Sequence, residues 1–238
     1  MLSRQPSPMP GVPPPTPFPA PAGDAQAILL FGGSFDPPHA AHTALAAAAR
    51  DALAERLDSA VALLFIPAAR SPHKPNPPAS DHHRQAMLDL AVVGIPRAAI
   101  WTDELDRPPP SYFADTAARA SVLAGDRPVY FLIGTDQAAA FHRWHEPRAI
   151  LAAATPIVIP REPITTADQL IAKLRETHAW TDTELATWRN AWCDLPIMPH
   201  AATDARGLLR AGELVPADVL APAVRDYIAT HRPYAPRQ

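Results

Sequence analysis

The stretch that decides the fold is Ala27-Ile28-Leu29-Leu30-Phe31, followed directly by Gly32-Gly33-Ser34-Phe35-Asp36-Pro37-Pro38-His39-Ala40-Ala41-His42. Five apolar residues ending on a glycine pair predict a buried strand that empties into a tight loop. Residues 39–57 are rich in alanine, contain neither glycine nor proline and follow Pro38, so a helix is expected there. Glycines at such a turn are expected to permit φ > 0 and to let a ligand approach the backbone. The helix start then offers amide donors and a positive dipole end, which suit a phosphate. His39 and His42, three residues apart, fall on one helical face at that same end. An imidazolium there is disfavoured by the dipole unless an anion is bound, so the pair makes sense with a polyphosphate. Metal ligation and simple helix capping are the other readings of such a pair. Zinc has little support, because no cysteine and no third ligand at helical spacing accompanies the histidines.

Outward from this unit the alternation continues. Strands are expected at 61–66, 98–102, 129–133 (ending at Gly134), 156–159 and 195–198. Helices are expected near 81–93, after a Ser111 cap, and over 169–176, 183–192, 203–211 and 222–231. Residues 67–80 hold five prolines and no apolar periodicity, which predicts a long loop of the functional kind. Repeated βαβ units with buried strands imply an α/β, Rossmann-like, mostly parallel sheet with helices on both faces and a C-terminal helical subdomain from about residue 200. Ligands then belong at the carboxyl ends of the strands.

Composition narrows the functional classes. The 238 residues include 31 prolines and 9 glycines. Nine of the prolines fall in the first 23 residues, so residues 1–26 are expected to be a disordered or PPII-like tail that can be removed without loss of activity. Residues 27–238 are expected to form one domain. A formal charge of 21 − 24 = −3 gives no global basic field for nucleic acid or anionic membrane. The single cysteine, Cys193, excludes an internal disulfide and favours a reducing compartment. With no long apolar run and no signal-peptide h-region, the chain reads as soluble and cytoplasmic. Its oligomeric state is not legible, and a homo-oligomer is left open.

The whole 32–42 string resembles the nucleotidyltransferases that carry an H-x-G-H motif, and among them the bacterial nicotinate-nucleotide adenylyltransferases with their G-G-x-F-D-P-P-H-x-G-H. Ala41 stands where that family has glycine. Further segments match in order: Ser71-Pro72-His73-Lys74 with S-P-H-K, Ser111-Tyr112-Phe113-Ala114-Asp115-Thr116 with S-Y-T-x-D-T, Ile133-Gly134-Thr135-Asp136 with I-G-x-D, and Trp144 with a family tryptophan. Near the C-terminus Thr203 and Arg206 fall on the threonine and arginine of I-S-S-T-x-I-R, whose two serines are absent here. Phe113 replaces the family threonine.

The resemblance implies transfer of AMP from ATP to nicotinate mononucleotide, giving deamido-NAD and pyrophosphate. It assigns Gly32, Gly33, Ser34, Phe35, His39, His42, Gly134, Asp136, Thr203 and Arg206 to ATP, and Ser111, Tyr112, Phe113, Trp144 and His145 to the mononucleotide. His39, His42, Lys74 and Arg206 would be catalytic, as donors to the transferring and departing phosphates. The second phosphate pKa is about 6, so the acceptor attacks without a general base. Mg²⁺ is expected to ride on ATP, with no metal held by the protein itself. Another nucleotidyltransferase, such as one acting on a pantetheine phosphate, and a non-catalytic nucleotide-binding relative are the competing readings.

Overall fold

β1 (Ala27–Gly33) and β2 (Val61–Pro67) form where the apolar runs predict them, pairing in parallel from Ala27↔Val61 to Gly33↔Pro67. Leu29, Leu30, Leu63 and Leu64 have no exposed surface, and each such side chain contributes about 1.5–3 kcal/mol by leaving water. The computed structural model describes residues 13–70, 79–197, 202–211, 213, 215, 216 and 218–235, with only the backbone at 202–204.

Between β1 and β2 runs α1 (Ala40–Leu57). Then follow α2 (Asp81–Val92), β3 (Ala98–Ile100), α3 (Phe113–Ala124), β4 (Val129–Gly134), α4 (Thr135–Ala139), α5 (Pro147–Ala153) and β5 (Thr155–Ile159). After β5 come α6 (Ala167–Glu176), α7 (Asp182–Asn190), α8 (Ala202–Ala211) and α9 (Pro222–His231). Reciprocal Thr166/Gln169 and Thr181/Glu184 capping boxes set the starts of α6 and α7.

All strand pairs are parallel, in the order β3-β2-β1-β4-β5. Alternate residues of β1 serve two cores: Ile28 and Leu30 pack with α3, α5, α6 and α7, whereas Ala27 and Leu29 pack with α1 and Leu88 of α2. The expected α/β sheet covered on both faces is therefore what forms. A third cluster joins Met87 of α2 to Ala205, Val224, Ile228 and Tyr234 of the C-terminal helical region. Strand order reverses between β1 and β4, so the carboxyl ends of these two strands form a switch-point crevice.

Three expectations need correction. Residues 195–197 form no strand, because Val158 is already bridged by Ala191 O and Cys193 N; Met198 lies outside the described residues. Pro38 precedes the N-cap His39 and so sits one step outside the helix.

The proline-rich tail is in part packed structure. Ala22 and Ala25 belong to the core, Phe18 meets Trp101 edge-on at 5.0 Å, and Trp101 Nε1 donates to Thr16 O at 2.8 Å. Carbonyls that proline leaves without local partners are claimed by side chains of the body: Arg119 donates to Pro13 O and Pro14 O. Removal to residue 24 would strip these contacts. Residues 1–12 lie outside the described residues.

Candidate active site

A cavity of about 490 Å³ opens at the switch point. On one side it is lined by Gly32, Gly33 and Ser34 at the end of β1 and by His39 and His42 at the start of α1. Ser111, Tyr112 and Phe113 line it from the α3 entry, and Gly134, Asp136, Trp144 and His145 from beyond β4. Twelve residues singled out in four separated segments thus line one cavity.

The two imidazoles stack with centroids 3.7 Å apart and an interplanar angle of 24°. His39 N donates to His42 Nδ1 at 3.3 Å, so a neutral His42 carries its ring proton on Nε2. Beneath them Phe35 is 1 % exposed and packs against His42, Phe31 and Phe65. Phe35 therefore supports the floor rather than lining the cavity. It also takes the left-handed backbone conformation of this loop, at φ 47°, which costs about 1–3 kcal/mol and is held by the packing around its ring.

Gly32 and Gly33 do not have the positive φ expected of them. Gly33 serves for space, since a Cβ there would meet the Phe35 ring at 3.1 Å, whereas one on Gly32 would meet Phe113 only at 3.4 Å, ordinary contact. Not every amide at the α1 start is offered to a ligand either. Val219 O accepts from Ala40 N at 2.8 Å and His39 O accepts from His42 N. Ala41 lines the cavity and is 5 % exposed, so its methyl faces the region where the related motif has hydrogen.

Ser111 does not cap α3, whose N-cap is Tyr112. Ser111 Oγ instead accepts from Ala69 N at 3.1 Å, tying the α3 entry to the loop after β2. Tyr112 and His145 stack at 4.2 Å, while Trp144 is half-buried against Phe113 and Phe141. At Gly134 a Cβ would fall 2.7 Å from both Asp136 Oδ1 and Arg161 Cδ, so glycine is what lets those side chains meet over the end of β4.

Arg206 does not line this cavity. Its Nη1 donates to Asp36 O at 2.6 Å, clamping α8 to the β1–α1 loop. Lys74 lies outside the described residues, as does the side chain of Thr203.

Three residues were missed. Arg161 lines the cavity and pairs with Asp136 at 3.7 Å; its place just after a strand's carboxyl end was the signal. Glu104 is a cavity carboxyl, 3 % exposed, whose pKa burial pushes up. Arg84 is fully buried and donates to Ser34 O at 2.9 Å and Ala79 O at 3.1 Å. It therefore pins the glycine loop to the far end of the 70–79 segment, and a charge at apolar spacing with Met87 and Leu88 was its trace in the sequence.

The model of the cytidylyltransferase-like family matches residues 30–197. A Bordetella pertussis protein named "Probable nicotinate-nucleotide adenylyltransferase" is 39% identical over 210 residues, covering 87% of this chain and 97% of its own. The chain belongs to that family.

A Cronobacter sakazakii relative with the same name is 32% identical over 217 residues, covering 87% of this chain and 94% of its own. A Plasmodium falciparum nicotinic acid mononucleotide adenylyltransferase, solved in complex with NaAD, superposes with TM-score 0.63 at 17% identity over 87% of this chain and 97% of its own. That likeness is one of fold. No helix among the described residues is long and apolar enough to cross a membrane.

Proposed function

We propose that the protein transfers the adenylyl group of MgATP to nicotinate mononucleotide, releasing pyrophosphate. One observation carries this reading: a single 490 Å³ cavity is lined both by the stacked His39 and His42 and by Tyr112, Trp144 and His145. That volume falls within the roughly 300–1,000 Å³ of small-molecule sites. Imidazole donors suit phosphate charge, and half-buried aromatic faces suit an electron-poor pyridine ring.

In the proposed reaction a phosphate oxygen of the mononucleotide forms the new bond to the α-phosphorus. The bond from that phosphorus to the bridging oxygen breaks, and pyrophosphate leaves with the electron pair. The attacking phosphate is already largely ionised, so no general base is required. Catalysis then consists of alignment and of stabilising charge on the transferring and departing groups. His39 and His42 are assigned to that charge, together with Lys74. Arg206 is assigned an indirect part, holding the His39 loop through Asp36 O. Asp136, Gly134 and Arg161 are assigned to the ATP half, and Ser111, Tyr112, Phe113, Trp144 and His145 to the acceptor half. Mg²⁺ enters with ATP as part of that substrate.

The test is pyrophosphate release from MgATP offered nicotinate mononucleotide, its amide or phosphopantetheine in separate reactions. Release with the nicotinate acceptor is expected. Release with phosphopantetheine alone, or with none of the three, would overturn the reading.

A further inference from the structure

The acceptor half of the cavity is held in place by buried charges. Glu104 accepts from Thr116 Oγ1 at 2.5 Å, so the buried carboxyl grips the first turn of α3. Arg107 donates to Thr116 Oγ1, to Tyr112 O at 3.4 Å and to Asp115 at 3.1 Å. Behind Arg107 stands Asp103, with no exposed surface, 3.5 Å from the Arg107 guanidinium and bound twice by Arg119 at 2.8 Å.

Asp103 has one further donor, and it comes from the N-terminal strap. Thr16 N donates to Asp103 Oδ1 at 2.9 Å. Residues 13–17 read Pro-Pro-Pro-Thr-Pro, so Thr16 carries the one backbone N–H in that run. The strap therefore meets the body with the Thr16 amide on Asp103, the Thr16 hydroxyl on Asp106 at 2.9 Å, the Pro13 and Pro14 carbonyls on Arg119 and Thr16 O on Trp101.

We propose that the strap of residues 13–25 is a positioning element of the acceptor site, acting through Asp103 and Arg107 on the start of α3. It touches neither substrate. Its docking sets the position of Asp103, which orients Arg107, which holds the Tyr112 carbonyl and Thr116 beside the cavity. The idea rests on the assignment of Ser111, Tyr112 and Phe113 to the mononucleotide.

Its test is steady-state kinetics on the full chain with Thr16→Pro, which deletes the amide donor, and with Thr16→Ala, which keeps it. Thr16→Pro is expected to raise KM for nicotinate mononucleotide roughly three- to tenfold, the scale of one ordinary hydrogen bond felt indirectly at the site, with KM for ATP unchanged. Thr16→Ala, which loses the hydrogen bond from Thr16 Oγ1 to Asp106 at 2.9 Å but keeps the amide on Asp103, should leave both KM values unchanged. A chain starting at residue 24 should show the larger rise in the same KM; should it not fold, Thr16→Pro still decides. Unchanged constants in Thr16→Pro, or equal rises for both substrates, would overturn the strap's role. The functional reading fails separately, if the wild-type chain itself does not use the nicotinate acceptor.

Discussion

The two halves of the cavity are built by different physics. The histidine half rests on apolar packing: His42 lies on Phe35, which interlocks with Phe31 and Phe65 at centroid distances of 5.3–5.8 Å. Residues that make it are neighbours in the chain or on adjacent strands. The acceptor half rests on buried charge: Asp103, Glu104 and Arg107 are each at most 7 % exposed, and they reach outward to Arg119 and the strap. Apolar packing carries no titratable group, whereas a network of buried acids and bases responds to pH through the protonation of its members. A cavity with one half of each kind can therefore be loosened on one side at a time.

The widest separation of the halves comes from Phe35→Ala and Arg107→Met. Each should cost about 3–5 kcal/mol, the first by leaving a cavity and the second by removing a cation that faces the buried Asp103 and Glu104. Urea unfolding at neutral and at acidic pH tells them apart. The Arg107→Met deficit should shrink toward acid as the stranded carboxylates take up protons, while the Phe35→Ala deficit stays constant. Identical pH dependence of the two deficits would end the comparison.

On the histidine side, His42→Ala should lower kcat at least roughly tenfold while the circular dichroism of the folded state is preserved. An unchanged kcat would remove His42 from the chemistry.

Glu104→Gln sharpens the acceptor side. Burial raises the folded pKa of Glu104 above its ordinary 4.5, so folding disfavours its charged form relative to the unfolded chain. Its contribution is fully present below about pH 4.5 and is lost as pH rises through the raised folded value. Glutamine does not titrate, so the stability of Glu104→Gln relative to wild type should rise with pH across that window. A relative stability that is flat with pH would contradict the burial argument.

The smallest effect is expected at the seam behind the histidine half, where Tyr234 Oη donates to Asp36 Oδ1 at 2.9 Å. Tyr234→Phe should cost about 1 kcal/mol, read as a shift in the urea midpoint. Full retention of the midpoint would show that the C-terminal region is not tied to the loop through this bond.

The same contrast explains what was legible beforehand. Residues 27–57 could be read as strand, loop and helix because apolar runs, glycine pairs and alanine-rich stretches act locally, and the motif histidines lie three apart on one helix. Strands at 61–66, 129–133 and 156–159 were legible for the same reason, being short apolar runs between turn signals. Ser111 misled, because a serine before a helix reads as a cap, while the observed partner is the Ala69 amide some forty residues away. The strap misled more: nine prolines in 23 residues look like a chain with nothing to pack. Proline removes donors but keeps carbonyls, and whether those find Arg119 and Trp101 depends on residues about a hundred positions later.

By itself, then, the sequence determined the period of every major element, the parallel α/β class and the string of residues at the end of β1, all set by interactions within a few residues. Only the tertiary structure decided that Gly33 serves by leaving room for the Phe35 ring, that Arg206 grips Asp36 O, and that Glu104 and Arg107 hold the acceptor wall. Those outcomes depend on burial and on charge partners brought together by the fold, and neither burial nor a distant partner has a local signature in the chain.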